Sequence, residues 1–133
     1  MLALVWVAGC SADAAEAPTF QRDIAPVLEE RCTARGGCHG DEPTQEVTLD
    51  LRAGAAYREL VGVTAELGAP LLRVAPGNAR ASMLVRKLSG PLARDEGSAM
   101  PSDDVAPLPA HFVDDMLVPW INAGATEATA PAR

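Results

Sequence analysis

A cysteine pair with an adjoining histidine sets the strongest constraint on how this chain can fold. Cys32 and Cys38 are separated by five residues, and His39 follows Cys38 directly. Gly36 and Gly37 stand between the cysteines, and glycine adopts backbone conformations that let a chain turn sharply. The segment is therefore predicted to loop back and bring two thiols close to one imidazole.

Four chemical states of this cysteine pair fit the sequence. Both thiols could add to the vinyl groups of a haem with His39 as the iron ligand, or Cys38 alone could do so. The cysteines could instead close a disulfide across the short loop. Metal binding is the fourth state, but the chain lacks the second Cys/His pair of a four-ligand zinc site. The motif alone leaves haem and disulfide open.

The cysteine spacing departs from the common haem-attachment motif, in which two residues separate the cysteines. Arg35 occupies the position of the usual first cysteine, and Cys32 stands one helical turn before it. Residues three apart lie on the same face of a helix, so the first thiol has moved one turn upstream. One or two thioether bonds are both compatible with this spacing.

The start of the chain is typical of an exported protein. Residues 1–9 are apolar and uncharged, and they are too few for a membrane span of about 20 residues. We interpret them as an export segment. Residues 7–10 resemble a bacterial lipobox, which predicts lipidation of Cys10 and a lipid anchor on the periplasmic side of the envelope. The alternative is an ordinary secretory signal with an incidental cysteine.

The rest of the chain is predicted to be one all-α domain. Residues 10–18 form a flexible tether, residues 19–125 the domain and residues 126–133 a disordered tail. Apolar spacing, with Thr19 and Asn78 as candidate N-cap residues, predicts about four short helices joined by long loops, at residues 20–32, 53–61, 79–88 and 110–123. The chain has only two Trp, one Tyr and two Phe, so a bound haem would supply apolar volume that the core lacks.

Charge excludes one class of partner and favours another. The chain has 11 basic and 18 acidic residues, a formal net charge of −7, and no basic run. Such a surface repels nucleic acid. A partner that docks electrostatically is therefore predicted to present a basic face.

Met100 is the candidate second ligand of a haem iron. It lies next to Pro101 in the long loop before the last helix, and a thioether is a soft, neutral ligand that raises the potential of the iron. His111 is the competing distal ligand. Met83 and Met116 fall in apolar helical stripes and are predicted to be core residues.

Five sequence blocks in order carry a family resemblance. The blocks are TFQRDIAPVLEERC (19–32), GCHG (37–40), RVAPGNARASMLVRKL (73–88), AMP (99–101) and WINAGA (120–125). Together they resemble the planctomycete-type cytochrome c domain family over roughly residues 19–125. The resemblance implies a cytochrome c-like fold around one covalent haem c, with His39 as the proximal and Met100 as the distal ligand. Cys38 stands where the family attaches the haem, whereas Arg35 replaces the family's usual first cysteine and Cys32 lies one helical turn before it.

The function predicted from these features is electron transfer to and from a redox partner protein. With both axial positions of the iron filled, the domain would have no enzyme activity of its own, although it could be the electron-entry module of a larger oxidoreductase. One rival is a haem-free lipoprotein, closed by a Cys32–Cys38 disulfide, that acts as a binding module. Another is a haem sensor or peroxidase-like protein in which Met100 does not bind.

Overall fold

The computed structural model of the protein describes residues 16–33, 38–40 and 48–128. The predicted export segment, Cys10 and most of the predicted tail lie outside these residues, as do residues 34–37. Within the described ranges the chain forms four helices and no strand longer than an isolated bridge, which confirms the all-α prediction. In the same ranges, no helix has the length and apolar character needed to span a bilayer.

The four helices lie close to their predicted positions. Helix α1 covers residues 20–33 in three consecutive pieces: π-helical Phe20–Ile24, α-helical Ala25–Leu28 and π-helical Glu29–Thr33. Helices α2 and α3 are Ala56–Leu60 and Met83–Ser89. Helix α4 covers residues 112–122, as π-helical Phe112–Leu117 followed by α-helical Val118–Asn122. Short 3₁₀ turns form at Ala79–Ala81 and Arg94–Glu96.

A π-helical turn precedes a proline in both long helices. Pro26 in α1 and Pro119 in α4 each follow such a turn, in which an N–H group donates five residues back. Proline lacks an N–H group, and in a regular α-helix its ring clashes with the carbonyl four residues earlier. The wider turn relieves this clash. Helix α1 therefore begins at Phe20 and continues through Pro26.

The core joins the first and last helices. The Phe20 ring lies 5.3 Å from the Trp120 ring and 5.2 Å from the Tyr57 ring, measured between centroids. The polar ends of two rings bind the chain after α4: Trp120 Nε1 donates to the Thr126 carbonyl at 2.8 Å, and the Tyr57 hydroxyl donates to the Ala125 carbonyl at 2.9 Å. Thr126 thus contacts the domain although it falls in the predicted tail.

Of the two methionines predicted to be core residues, only Met83 is buried. It is 5% exposed, whereas Met116 is 40% exposed, so the prediction for Met116 is wrong. Met116 lies in the π-helical part of α4, where each turn holds more residues than the 3.6 on which the apolar stripe was based. The change of period rotates Met116 away from the core.

Helix α3 is shorter than its sequence pattern predicts. Asn78 caps the segment as expected, because its side chain accepts a hydrogen bond from the Ala81 N–H. Ser82 then interrupts the helix: it is fully buried and extended, its hydroxyl donates to the Asn78 carbonyl at 2.9 Å, and it accepts from the Ala75 N–H at 2.8 Å. The predicted helix 79–88 is therefore a 3₁₀ turn followed by α3.

Candidate functional site

An open cleft with a largely apolar wall lies beside the core. The empty space in and in front of the cleft is about 1130 Å³, a figure that includes open solvent. The apolar side chains of the wall include Leu49, Leu51, Leu60, Met83, Leu84 and Leu88. A wall of this kind favours a ligand with a large apolar body.

The four residues predicted to attach and ligate a haem all line this cleft. Cys32 comes from the end of α1, Cys38 and His39 from the segment after it, and Met100 from the loop between α3 and α4. Two distant parts of the chain thus meet at one cavity. His111, the competing ligand, is exposed at the start of α4 and is not among the residues that line the cleft. Cys10 lies outside the part of the chain that the structure describes.

The imidazole of His39 is oriented by a backbone carbonyl. His39 Nδ1 lies 3.0 Å from the Leu49 carbonyl oxygen. A carbonyl oxygen can only accept, so Nδ1 carries a hydrogen, and in the neutral form of the ring Nε2 has the free lone pair. This is the arrangement that prepares a histidine to bind a metal, because the second ring nitrogen fixes both the tautomer and the ring orientation.

Backbone hydrogen bonds hold His39 in place from both directions. The His39 N–H donates to the Cys32 carbonyl at 3.0 Å, which closes the loop between the two cysteines. The His39 carbonyl accepts from the Leu51 N–H at 2.9 Å. The histidine is therefore tied to the end of α1 and to the segment that carries Leu49.

Gly40 lets this segment pack tightly against α1. A Cβ atom at position 40 would lie 2.6 Å from both the Cβ and the carbonyl oxygen of Thr33, and 2.8 Å from its Cα. Two of these three atoms are backbone atoms, which a side-chain rotation cannot move. Gly40 belongs to the GCHG block (37–40), but the sequence pattern predicts no separate role for it. Its position directly after His39 was the only available signal.

We predict that Gly40→Ala destabilises the domain by about 1–3 kcal/mol, the usual range for added volume in a packed site. It should also shift the NMR resonance of the His39 Nδ1–H, because the histidine segment must move away from Thr33. The matched control is Gly54→Ala, where φ is +83° but no described atom lies within 4 Å of the new Cβ. This control should lose stability through strain and leave the His39 resonance unchanged. A Gly40→Ala variant with an unshifted resonance would contradict the prediction.

The two thiols differ in exposure. Both cysteines are free, Cys38 is exposed and Cys32 is partly buried. Burial raises the pKa of the Cys32 thiol to about 11. At neutral pH Cys32 is therefore an uncharged thiol, which attacks a disulfide slowly because the thiolate is the reactive form.

Two arginines bring positive charge to the cleft. The Arg73 guanidinium is paired with Glu59 at 3.4 Å and with Glu66 at 3.6 Å. Arg31 differs, because its Nε is buried and has no hydrogen-bond partner among the described residues, although its Nη2 lies 3.3 Å from Glu30. A buried, unsatisfied donor is costly. An anionic or carbonyl oxygen in the cleft beside Arg31 would remove this cost.

Comparison of the chain with protein-family models, with curated proteins and with solved structures found no match. Within residues 16–33, 38–40 and 48–128, no group of three or more His, Cys, Asp or Glu side chains could hold a metal ion. The cleft and the residues that line it are therefore the features of this chain that indicate a function.

Proposed function

We propose that the chain is a c-type cytochrome domain with a cytochrome c-like fold, which carries one covalently bound haem c and transfers electrons. The observation that carries the proposal is the placement of His39. Its Nδ1 donates to the Leu49 carbonyl, and its ring lines the same apolar cleft as Met100, Cys32 and Cys38. A neutral imidazole and a thioether are the axial ligand pair of many electron-transfer haems.

Three features of the cleft fit a haem. Its apolar wall suits a porphyrin, which is a large apolar body. The thiols of Cys32 and Cys38 lie on the same cavity as His39, as covalent attachment requires. The buried Nε of Arg31 lacks a partner among the described residues, and a haem propionate would supply an acceptor.

A bound haem would supply reversible one-electron chemistry, and the protein would tune it. His39 and Met100 would occupy both axial positions and leave no open coordination site for a substrate, so we propose an electron carrier and not an enzyme. The leucine side chains of the wall would exclude water and lower the local dielectric constant. Such a domain could also be the electron-entry module of a larger oxidoreductase.

The proposal includes a place in the cell and a kind of partner. Export through residues 1–9 and lipidation of Cys10 would put the domain on the periplasmic side of a bacterial envelope. Haem-linked or oxidised cysteines fit this compartment better than the reducing cytosol. The formal net charge of −7 would favour a redox partner with a basic docking face.

The test is expression in a bacterial host that attaches haem c to exported proteins. We expect purified protein with the mass of the mature chain plus one haem, retention of the haem on denaturing gels, and a narrow α band after reduction. A colourless protein with the mass of the bare chain, plus any acyl groups, would overturn the proposal. If that colourless chain were also two hydrogens lighter, the disulfide-closed binding module would take its place.

A further inference from the structure

The loop that carries Met100 is fastened to α3 by an ion pair between a buried glutamate and a partly exposed arginine. The Glu96 carboxylate is 5% exposed, and its Oε1 lies 2.6 Å from Arg86 Nη2 on α3. The second carboxylate oxygen, Oε2, accepts from Arg86 Nη2 at 2.8 Å and from the Ala93 N–H at 2.9 Å. Both carboxylate oxygens are therefore bound, one of them to the backbone of the loop itself.

The next residue of α3 holds the end of the same loop. The Met100 N–H donates to the Lys87 carbonyl at 2.8 Å, and Lys87 Nζ donates to the Ser98 carbonyl at 2.9 Å. The Arg86–Glu96 pair and these Lys87 contacts form one clamp on adjacent residues of α3. The clamp ends at Met100, whose side chain lines the cleft.

Close packing on the other side leaves the clamped loop little room to shift. A Cβ atom on Gly68 would lie 2.9 Å from Glu96 Cγ, and a Cβ on Gly97 would lie 2.9 Å from Leu67 Cδ1 and 3.0 Å from Lys87 Nζ. Both glycines also have positive φ, +76° and +73°, a conformation that other residues rarely adopt. Glu96 is thus enclosed between α3 and residues 67–68.

We propose that Glu96 is a positioning residue for Met100: through Arg86 it fixes the loop so that the methionine thioether stays at the cleft. The existence of the clamp does not depend on haem. Its use, to keep the distal ligand in place, rests on the proposed function. A charge-assisted pair suits this role, because its hydrogen bonds are stronger and more directional than neutral ones. Removing one partner also leaves the other partly buried without its counter-charge.

The charged groups around Glu96 keep it ionised at neutral pH. Arg86 and Lys87 face it from α3, Asp95 adjoins it on its own turn, and residues 67–68 add no charge. The hydrogen bond from Arg86 is the main cause that lowers the pKa of the Glu96 carboxyl below its usual value. The contribution of the pair to stability is therefore fully present above the usual glutamate pKa and is lost as the pH falls through the lowered one.

The test compares Glu96→Gln with Asp95→Asn in the haem-loaded protein. Both changes remove one negative charge from the Arg94–Glu96 turn, but Asp95 is exposed. For Glu96→Gln we expect the near-infrared band of methionine-ligated ferric haem to weaken and the Met100 amide to exchange hydrogen at least about tenfold faster, since hydrogen bonds to charged groups are strong. Asp95→Asn should leave both signals unchanged, and the mass should show attached haem in both variants.

The outcomes separate this inference from the proposed function. If haem is attached and the two variants behave alike, Glu96 does not position Met100 and the inference fails alone. If no haem is attached, amide exchange of the bare chain still tests the clamp, but the assigned use of the clamp fails. Arg86→Lys, which keeps the charge and removes the guanidinium Nη2 that contacts both carboxylate oxygens, should show an intermediate exchange rate. Loss of the whole helical signal in both Glu96→Gln and Arg86→Lys would mean a purely structural pair and overturn the inference.

Discussion

Replacement of His39 by glutamine should abolish the low-spin haem spectrum while the chain still folds. A glutamine amide can donate to the Leu49 carbonyl, as His39 Nδ1 does at 3.0 Å, but it offers no imidazole nitrogen to iron. The cost in stability should be about 1 kcal/mol, the scale of one hydrogen bond. The measurements are the absorption spectrum, the mass of the exported protein and its thermal unfolding.

His111→Asn is the control for this prediction. His111 is the other histidine of the chain, is exposed, and has φ of +63°, a conformation that asparagine tolerates. The control should keep the wild-type spectrum. A low-spin spectrum in His39→Gln would show that the proximal ligand has been assigned to the wrong residue.

The second large effect is expected for Met100→Ala. The iron should lose its distal ligand and become high-spin in the ferric form, with complete loss of the methionine-ligation band. The reduction potential should also fall, because a thioether favours ferrous iron. Covalent attachment should persist, since in the proposed function it depends on Cys38, with or without Cys32, and not on Met100. Absorption spectra and a potentiometric titration measure these changes.

Met116→Ala is the matched control, because Met116 is 40% exposed on α4 and does not line the cleft. It should leave the spectrum and potential unchanged. A Met100→Ala variant that keeps its low-spin spectrum would point to another distal ligand. If His111→Asn, and not Met100→Ala, produced the high-spin form, that ligand would be His111.

Local sequence signals were sufficient to place the helices. Thr19 and Asn78 cap the segments predicted from them, and α1 and α4 fall within two residues of their predicted limits. These signals work because capping and apolar spacing act over one or two turns. The interruption at Ser82 was missed, since its cause is a buried hydroxyl bound to Ala75 and Asn78. Apolar spacing carries no information about such a bond.

The sequence identified the residues that meet at the cleft but not those that orient them. Cys38 and His39 are recognisable because the haem chemistry needs them adjacent. The Leu49 carbonyl, which fixes the orientation of the imidazole, is a backbone group that any residue at position 49 would supply. Glu96 lies in a polar, proline-containing loop where a solvated carboxylate is the ordinary expectation, and only the fold shows that it is buried against Arg86. Supporting contacts of this kind depend on tertiary packing and leave little trace in a single sequence.

The contacts between the first helix and the chain after the last one bring the two ends of the described domain side by side. The Gln21 N–H donates to the Glu127 carbonyl at 3.4 Å. This contact follows directly on the Ala125 and Thr126 carbonyls, which accept hydrogen bonds from Tyr57 and Trp120. A domain whose N-terminal and C-terminal ends adjoin can be inserted into a surface loop of a host protein without distorting the domain or the host. The same geometry would suit circular permutation: new termini could be opened elsewhere once a short linker joins the old ones.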